Sequence, residues 1–235
     1  GVDYVVKVTD STHSHNGTVH GISGWNAWND SSKLPTSGTY YLNTDVTVKN
    51  QIIPTGNINL CLNGHKITVN YWLGIYDMRT TNYTITIYDS DDNSGVITTA
   101  EAGYDSYGAI RISPNSDYSP TVTLKGGTIK NCKYDYGAAV GINGDGGTFN
   151  MQGGVICNNT SSVNGAVWIG KGTFNMSGGT IRDNVNTSSS DGDTAGVQTG
   201  INTPINISGG TITGNSVPNR KINKSGGGIY VHDTI

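Results

Sequence analysis

A repeated segment limits the folds open to this chain more strongly than any other feature of its sequence. The stretch TFNMSGGTIRDN, which begins at Thr173, has a near copy in TFNMQGGVICNN, which begins at Thr148. When the glycine pairs are aligned, two further copies (TVTLKGGTIKNC and PINISGGTITGN) and two weaker ones (INLCLNGHKITVN and ITIYDSDDNSGVITTA) fall into register. Successive glycine anchors lie 25 to 32 residues apart. A repeat of this period is typical of solenoids.

Each copy of the repeat predicts two short strands and a polar corner. Apolar residues alternate before the glycines, as in Phe174 and Met176, and period two indicates a strand with one buried face. Past the glycines an isoleucine recurs at a fixed offset: Ile67, Ile97, Ile129, Ile156, Ile181 and Ile212. Three residues later the same slot holds Asn70, Ala100, Cys132, Asn159, Asn184 and Asn215. A recurring corner asparagine predicts a ladder of amide hydrogen bonds between stacked rungs.

One rung buries too little apolar surface to offset the entropy of ordering it, so the rungs must stack. We therefore predict an all-β fold, a single-domain right-handed parallel β-helix of about six or seven rungs. Residues 1–57 are assigned to an N-terminal capping segment with the first strands, and residues 58–235 to the rungs. The chain starts without a signal peptide and stops in mid-pattern, so we expect a monomeric piece of a larger multidomain protein.

Composition supports the β prediction and excludes two classes of partner. Glycine makes up 34 of 235 residues and charged residues only 13%, a balance typical of short strands and tight turns. With 14 Lys plus Arg and a net charge of −3, the chain has no basic patch for nucleic acid. No apolar run approaches the ~18 residues that span a bilayer, so we expect no membrane insertion.

Residues 13–64 carry a second pattern, HSHNG, WNAW, LPTSGTYYLNTDVTV and IIPTGNINLCLNGHKI. This pattern resembles the opening of pectate-lyase-like β-helix modules in large secreted or cell-wall-attached proteins of Gram-positive, often gut-dwelling bacteria. In those modules a W-x-x-W pair and an L-C-L-N-G-H motif precede GG-T-I-x-x-N rungs. The resemblance implies a secreted or cell-surface location and a role as an adhesin or carbohydrate-interacting region.

Three histidines form the first candidate metal site. His13, His15 and His20 lie in the stretch HSHNGTVH, and histidines at i and i+2 of a strand face the same side. No paired cysteine or carboxylate completes the set, so the sequence favours a solvated segment before the first rung. The three cysteines, Cys61, Cys132 and Cys157, lack CxxC spacing and are predicted to be small core-facing residues.

The stretch DSDDNSG forms the second candidate metal site. It spaces Asp89, Asp91 and Asn93 like a calcium loop, but its glycine comes one position late and no glutamate follows. By register the stretch replaces the glycine turn of other rungs. We therefore expect no cofactor, with calcium as the alternative.

Glycoside hydrolysis usually requires two carboxylates, and the repeat does not stack any. The loops offer Asp105, Asp135 and Asp191, which are the candidate acids if the chain is a polysaccharide lyase or glycoside hydrolase. The polygalacturonase set N-T-D, D-D, G-H-G and R-I-K is missing from the sequence. The lack of stacked carboxylates and the missing polygalacturonase motifs therefore favour a protein without catalytic activity.

The outward position of the second strand in each rung forms a candidate binding face. This column contains Tyr76, Arg111, Gly141, Trp168, Gln198 and Tyr230. Trp168 and Tyr230 are expected to lie two rungs, roughly 10 Å, apart, which suits stacking against two sugar rings. The sequence thus favours a non-catalytic bacterial surface module that binds a glycan or a host-surface ligand, with the enzyme and a structural spacer as alternatives.

Overall fold

The computed structural model describes residues 13–70, 74–90, 92–100, 108–189, 193–201, 203–219 and 226–232. The strands in these ranges are β1 Asn26–Trp28, β2 Gly38–Leu42, β3 Val46–Val48, β4 Ile58–Cys61, β5 Lys66–Val69, β6 Thr84–Tyr88, β7 Val96–Thr99, β8 Ile110–Ile112, β9 Thr121–Leu124, β10 Thr128–Lys130, β11 Val140–Met151, β12 Val155–Cys157, β13 Thr160–Ser161, β14 Val167–Met176, β15 Thr180–Arg182, β16 Val185–Asn186, β17 Val197–Thr199, β18 Ile205–Ile207, β19 Thr211–Thr213 and β20 Ile229–Tyr230. No helix in these ranges has the length and apolar character needed to cross a bilayer.

These strands stack into three parallel sheets. The first sheet follows the order β1-β2-β4-β6-β9-β11-β14-β17-β20, with β8 paired to β11 and β18 to β14. The second follows β19-β15-β12-β10-β7-β5-β3, and the third pairs β13 with β16. Each strand pairs with strands about one repeat away in sequence, which is the connectivity of a solenoid. The prediction of an all-β parallel solenoid is confirmed.

The interior of the solenoid is filled by columns of apolar side chains that continue from rung to rung. The predicted isoleucine column is in register from Ile67 to Ile212, and its first five members are fully buried. Phe149 and Phe174 stack at a centroid distance of 5.7 Å with ring planes 10° apart. Because each column continues from rung to rung, every repeat buries its apolar face only against its neighbours.

The corner asparagines form the predicted ladder over the later rungs. Asn159 Nδ2 donates to Asn184 Oδ1 at 2.9 Å, and Asn184 Nδ2 donates to Asn215 Oδ1 at 2.8 Å. The same side-chain oxygens also accept backbone N–H bonds, from Asn159 and Asn184 respectively, at 3.0 Å. At the earlier end, Asn159 Oδ1 accepts the N–H of Cys132 at 3.0 Å.

The two glycines of each pair serve different purposes. A Cβ on Gly178 would clash with the carbonyl oxygen of Gln152 in the preceding rung, so the first glycine allows close stacking of turns. Gly179 has a φ of +82°, a conformation that side-chain-bearing residues rarely adopt. The pair therefore combines close approach with a left-handed turn.

We expect Gly178→Ala to lower the free energy of unfolding by about 1–3 kcal/mol, because the new methyl group must displace the Gln152 carbonyl of the preceding rung. Gly228→Ala is the matched control, since its Cβ would meet nothing within 4 Å. We expect the control to change stability by no more than about 0.5 kcal/mol. Urea denaturation followed by circular dichroism measures both, and equal effects would contradict the stacking role of Gly178.

Candidate functional site

A two-residue hairpin holds the histidine-bearing segment in a fixed shape. Val19 and Ile22 form an antiparallel bridge with reciprocal N–H···O bonds of 2.8 and 2.9 Å. The two residues between them, His20 and Gly21, have φ values of +55° and +76°. Positive φ at both central positions is what a type I′ hairpin turn requires. This turn fixes the direction in which the His20 side chain leaves the backbone.

Trp25 stabilises this hairpin. Its indole N–H donates to the carbonyl oxygens of both Val19 and Ile22, each at 3.1 Å. Its buried ring also makes edge contacts with His15 and His20, at centroid distances of 5.2 and 5.7 Å. One side chain thus connects the backbone of the turn with two of the three histidines.

The hairpin segment packs on a column of the first sheet formed by Tyr41, Cys61 and Tyr88. These residues are in register on β2, β4 and β6. The neighbours of Cys61 in sequence, Leu60 and Leu62, belong to the main core, whereas Cys61 belongs to a separate cluster with Trp25 and Tyr88. The prediction that Cys61 faces the core is therefore wrong. The thiol points to the opposite face and is fully buried because the hairpin segment covers it.

Two histidine rings lie flat on the two tyrosines of this column. His15 stacks on Tyr41 at a centroid distance of 4.2 Å with planes 6° apart, and His20 stacks on Tyr88 at 4.8 Å and 23°. The two tyrosines lie one rung on either side of Cys61. The stacking therefore brings the imidazoles together over the thiol.

The four side chains converge through their donor atoms. His13 Nε2 lies 3.2 Å from His20 Nε2, and Cys61 Sγ lies 3.4 Å from His20 Nε2 and 3.7 Å from His13 Nε2. With one donor atom from each of His13, His15, His20 and Cys61, all four lie within 4.8 Å of one another. We call these four residues the His₃Cys cluster. It brings together the three histidines that the sequence grouped and adds the ligand that the sequence analysis missed.

Hydrogen bonding within the cluster leaves two buried ring nitrogens unpaired. His15 Nδ1 lies 3.1 Å from the carbonyl oxygen of His13, so this nitrogen carries the proton and Nε2 presents a lone pair. Nε2 of His15 and Nδ1 of His13 are both buried without a hydrogen-bond partner among the described residues. Unpaired buried polar atoms are rare and call for an explanation.

Burial also sets the protonation of the cluster. Desolvation, with smaller contributions from the charges of His13 and His20, lowers the pKa of His15 to about 4, so the imidazole is neutral at pH 7. Desolvation, together with the nearby charge of Asp89, raises the pKa of the Cys61 thiol to about 12. At pH 7 the His15 imidazole and the Cys61 thiol are therefore both uncharged.

The candidate binding column is in register but only partly exposed. Arg111, Gly141, Trp168, Gln198 and Tyr230 pair in sequence across β8, β11, β14, β17 and β20. Arg111, Trp168 and Tyr230 are half-buried. Trp168 lies 5.8 Å from the ring of Tyr136 between centroids, and the Nε of Arg111 donates to Ser113 Oγ at 3.1 Å. Tyr230 lies 6.2 Å from the ring of His232.

Three members of the column, Tyr76, Gly141 and Gln198, were predicted to be exposed and are buried. Tyr76 belongs to the main core, and its hydroxyl donates to the carbonyl oxygen of Pro35 at 3.1 Å, which satisfies the polar end of the buried ring. Gln198 is only 8% exposed because the preceding loop covers it: Gln198 Oε1 accepts the N–H of Thr194 at 3.2 Å. The prediction of one continuous exposed column is therefore wrong at these three positions.

Two of the three calcium candidates, Asp89 and Asn93, accept hydrogen bonds from the backbone of glycine turns. The carboxylate of Asp89 is buried and accepts the backbone N–H groups of Gly64 and Gly95, at 2.9 and 2.6 Å. Asn93 Oδ1 accepts the N–H of Gly127 at 2.8 Å. Asp91 lies outside the described residues.

Of the three candidate acids for the enzyme alternative, the structure describes one. Asp135 is half-buried; Ser162 Oγ donates to its Oδ1, and its backbone carbonyl accepts N–H bonds from Val163 and Asn164. Asp105 and Asp191 lie outside the described residues. Their role stays a prediction.

Comparisons with known proteins add no family to this description. No family model, no curated protein and no solved structure matches the chain. The fold itself defines the class: an all-β parallel solenoid, which carries a covered His₃Cys cluster on one end of its first sheet.

Proposed function

We propose that the chain is a carbohydrate-binding solenoid module of an extracellular bacterial protein, and that the glycan binds along the face containing Arg111, Gly141 and Trp168. The register of these three residues on adjacent parallel strands carries the proposal. It places a cation, a buried glycine and an aromatic ring in one line. The resemblance to surface modules of Gram-positive bacteria supports the extracellular setting.

The aromatic part of this face suits the apolar side of a sugar ring. Trp168 and Tyr136 lie side by side, with ring planes 46° apart, and both are half-buried. Tyrosine and tryptophan combine a large apolar face with a polar edge, so they contact sugars that expose both CH and OH groups. Gly141, directly between Trp168 and Arg111 in register, is buried, so the two exposed parts of the face lie on either side of a position without a side chain.

The other end of the face is polar and preorganised. Asp77 and Arg79 form a two-point ion pair, with Arg79 Nε and Nη2 2.9 and 2.6 Å from the Asp77 carboxylate oxygens. Hydrogen bonds from Arg79 lower the pKa of Asp77. Together with Gln51, Arg111 and Ser113, this pair lines a small surface cleft. Fixed charged and amide groups of this kind orient hydroxyl groups of a ligand.

The length of the face fits a chain rather than a single sugar. Arg111 and Trp168 are separated by two strand spacings, roughly 10 Å, because parallel strands lie ~4.8 Å apart. A binding face of this length spans about two sugar residues. We therefore propose an oligosaccharide or polysaccharide as ligand, bound without being cleaved.

We expect the intact module to bind at least one member of an array of plant, microbial and mucin-type glycans, and Trp168→Ala to weaken that binding at least ~10-fold, the effect of losing about 1.4 kcal/mol of contact energy. Tyr83→Ala is the matched control, since Tyr83 is an exposed aromatic residue that does not belong to the column. Affinities are measured by titration of the best glycan. Unchanged binding by Trp168→Ala, or no glycan bound by the intact module, would overturn the proposal.

A further inference from the structure

We propose that His13, His15, His20 and Cys61 bind one Zn²⁺ ion between the hairpin segment and the first sheet. This site is independent of the glycan face. Three of its ligands come from a short segment before the first strand, and the fourth comes from the outward side of β4. The donor set is three imidazoles and one thiol, which are side chains that zinc prefers.

The distances between donor atoms match the edges of a zinc tetrahedron. With zinc–nitrogen bonds of about 2.0–2.1 Å and a zinc–sulfur bond of about 2.3 Å, a tetrahedral site has edges of about 3.4 Å between nitrogens and about 3.6 Å between nitrogen and sulfur. The observed distances are 3.2 Å for His13 Nε2 to His20 Nε2, and 3.4 and 3.7 Å from Cys61 Sγ to the two nitrogens. Three of the four ligands thus already have the separation that a common metal ion requires.

His15 has the features of the fourth ligand. Its Nδ1–H donates to the carbonyl oxygen of His13, an arrangement that metal-binding histidines commonly use to fix the ring and direct Nε2 toward the ion. Nε2 is buried without a partner, and its ring is held by stacking on Tyr41. A Zn²⁺ ion among the four donors gives this nitrogen the partner that it lacks.

The surroundings favour a closed structural site. Tyr41, Tyr88 and Trp25 pack aromatic rings around the cluster, in which His15 and Cys61 are buried and His13 and His20 are half-buried. Four protein ligands leave no open position for a substrate, which is typical of structural rather than catalytic zinc. Binding converts the Cys61 thiol to a thiolate and releases one proton. The ion would fasten the hairpin segment to the solenoid.

The test uses the 235-residue chain, stripped with a chelator and kept reduced with a phosphine. We expect the chain to take up one equivalent of Zn²⁺, measured by competition with a chromophoric chelator and by metal analysis. Co²⁺ in place of zinc is expected to give the charge-transfer absorption of a cobalt–thiolate bond. That band reports a cobalt–thiolate bond, and the cysteine variants assign it to Cys61.

Three variants make the result specific. Cys61→Ser is expected to abolish the charge-transfer band and to weaken zinc binding at least ~100-fold, whereas Cys157→Ser, another buried free cysteine, should leave both unchanged. His20→Asn also removes a ligand, and asparagine tolerates the left-handed backbone at this position. Circular dichroism confirms that each variant is folded. Failure of the intact chain to bind Zn²⁺, or tight binding that survives both Cys61→Ser and His20→Asn, would overturn the site.

Discussion

Replacing Asn184 with alanine is expected to lower the free energy of unfolding by about 3 kcal/mol, one of the larger effects that a single side chain in this solenoid can have. Asn184 is fully buried at the corner between β15 and β16. Its side chain makes four hydrogen bonds, to the backbone N–H and side-chain amide of Asn159, to the carbonyl oxygen of Ile156 and to Asn215 Oδ1. An alanine leaves the backbone N–H of Asn159 and the carbonyl of Ile156 without these partners inside the protein.

Asn175→Ala is the matched control for this prediction. Asn175 also forms amide hydrogen bonds to the rungs on both sides, with Asn150 and Asn206 at 2.8 Å each, but it lies on the half-exposed outer face. Water can replace its bonds, so we expect a loss of about 1 kcal/mol or less. Urea denaturation of the two variants measures the difference. If both variants lose the same stability, burial of the ladder does not explain why asparagine recurs at the corner.

The sequence predicts those parts of the fold that repeat. The isoleucine column and the asparagine ladder recur at fixed offsets from the glycine pair, and each copy adds support to the same interpretation. The rungs must also stack on one another, because a single rung cannot bury enough apolar surface to be stable. The same offsets also predict that the outward-facing residues from Arg111 to Tyr230 lie in register, as they do in the structure.

Exposure within that column could not be predicted, because it depends on loops that do not repeat. Gln198 is covered by residues 193 and 194 of the loop before its strand. Tyr76 is buried in the core, where the carbonyl oxygen of Pro35 accepts a hydrogen bond from its hydroxyl. Both contacts join segments with no common pattern. A strand position that faces outward is therefore not the same as a position that contacts solvent.

The His₃Cys cluster was half predictable from the sequence. The histidines stood out by spacing, but Cys61 lies 41 residues beyond His20, and nothing in the repeat marks it as a ligand. One signal was available: in the run LCLNG, strict alternation places Leu60 and Leu62 inward and therefore Cys61 outward. A cysteine on the outer face of a strand needs a cover, and the preceding segment is the nearest stretch of chain that can supply one.

Trp25→Ala is expected to weaken zinc binding by ~100-fold although Trp25 is not a ligand. The substitution removes two hydrogen bonds to the turn and the ring contacts to His15 and His20, and loss of a buried tryptophan costs about 3 kcal/mol. That energy holds the hairpin segment in the shape that brings its histidines to Cys61. When the docked fraction falls, the apparent affinity for the ion falls with it. Zinc titration by chelator competition measures the effect.

Trp25→Phe serves as the graded comparison, since it keeps an aromatic ring but removes both hydrogen bonds to Val19 and Ile22. We expect this variant to lose ~10-fold in zinc affinity, because two hydrogen bonds contribute about 1–2 kcal/mol. Urea unfolding of the zinc-free chain should change little in either variant, because Trp25 packs in a cluster separate from the main core. Parallel losses of core stability and zinc affinity would instead mean that the hairpin segment is an integral part of the solenoid. Separate responses would show that the rungs fold on their own and that the ion, bound by three histidines and Cys61, closes the hairpin segment over an already folded sheet.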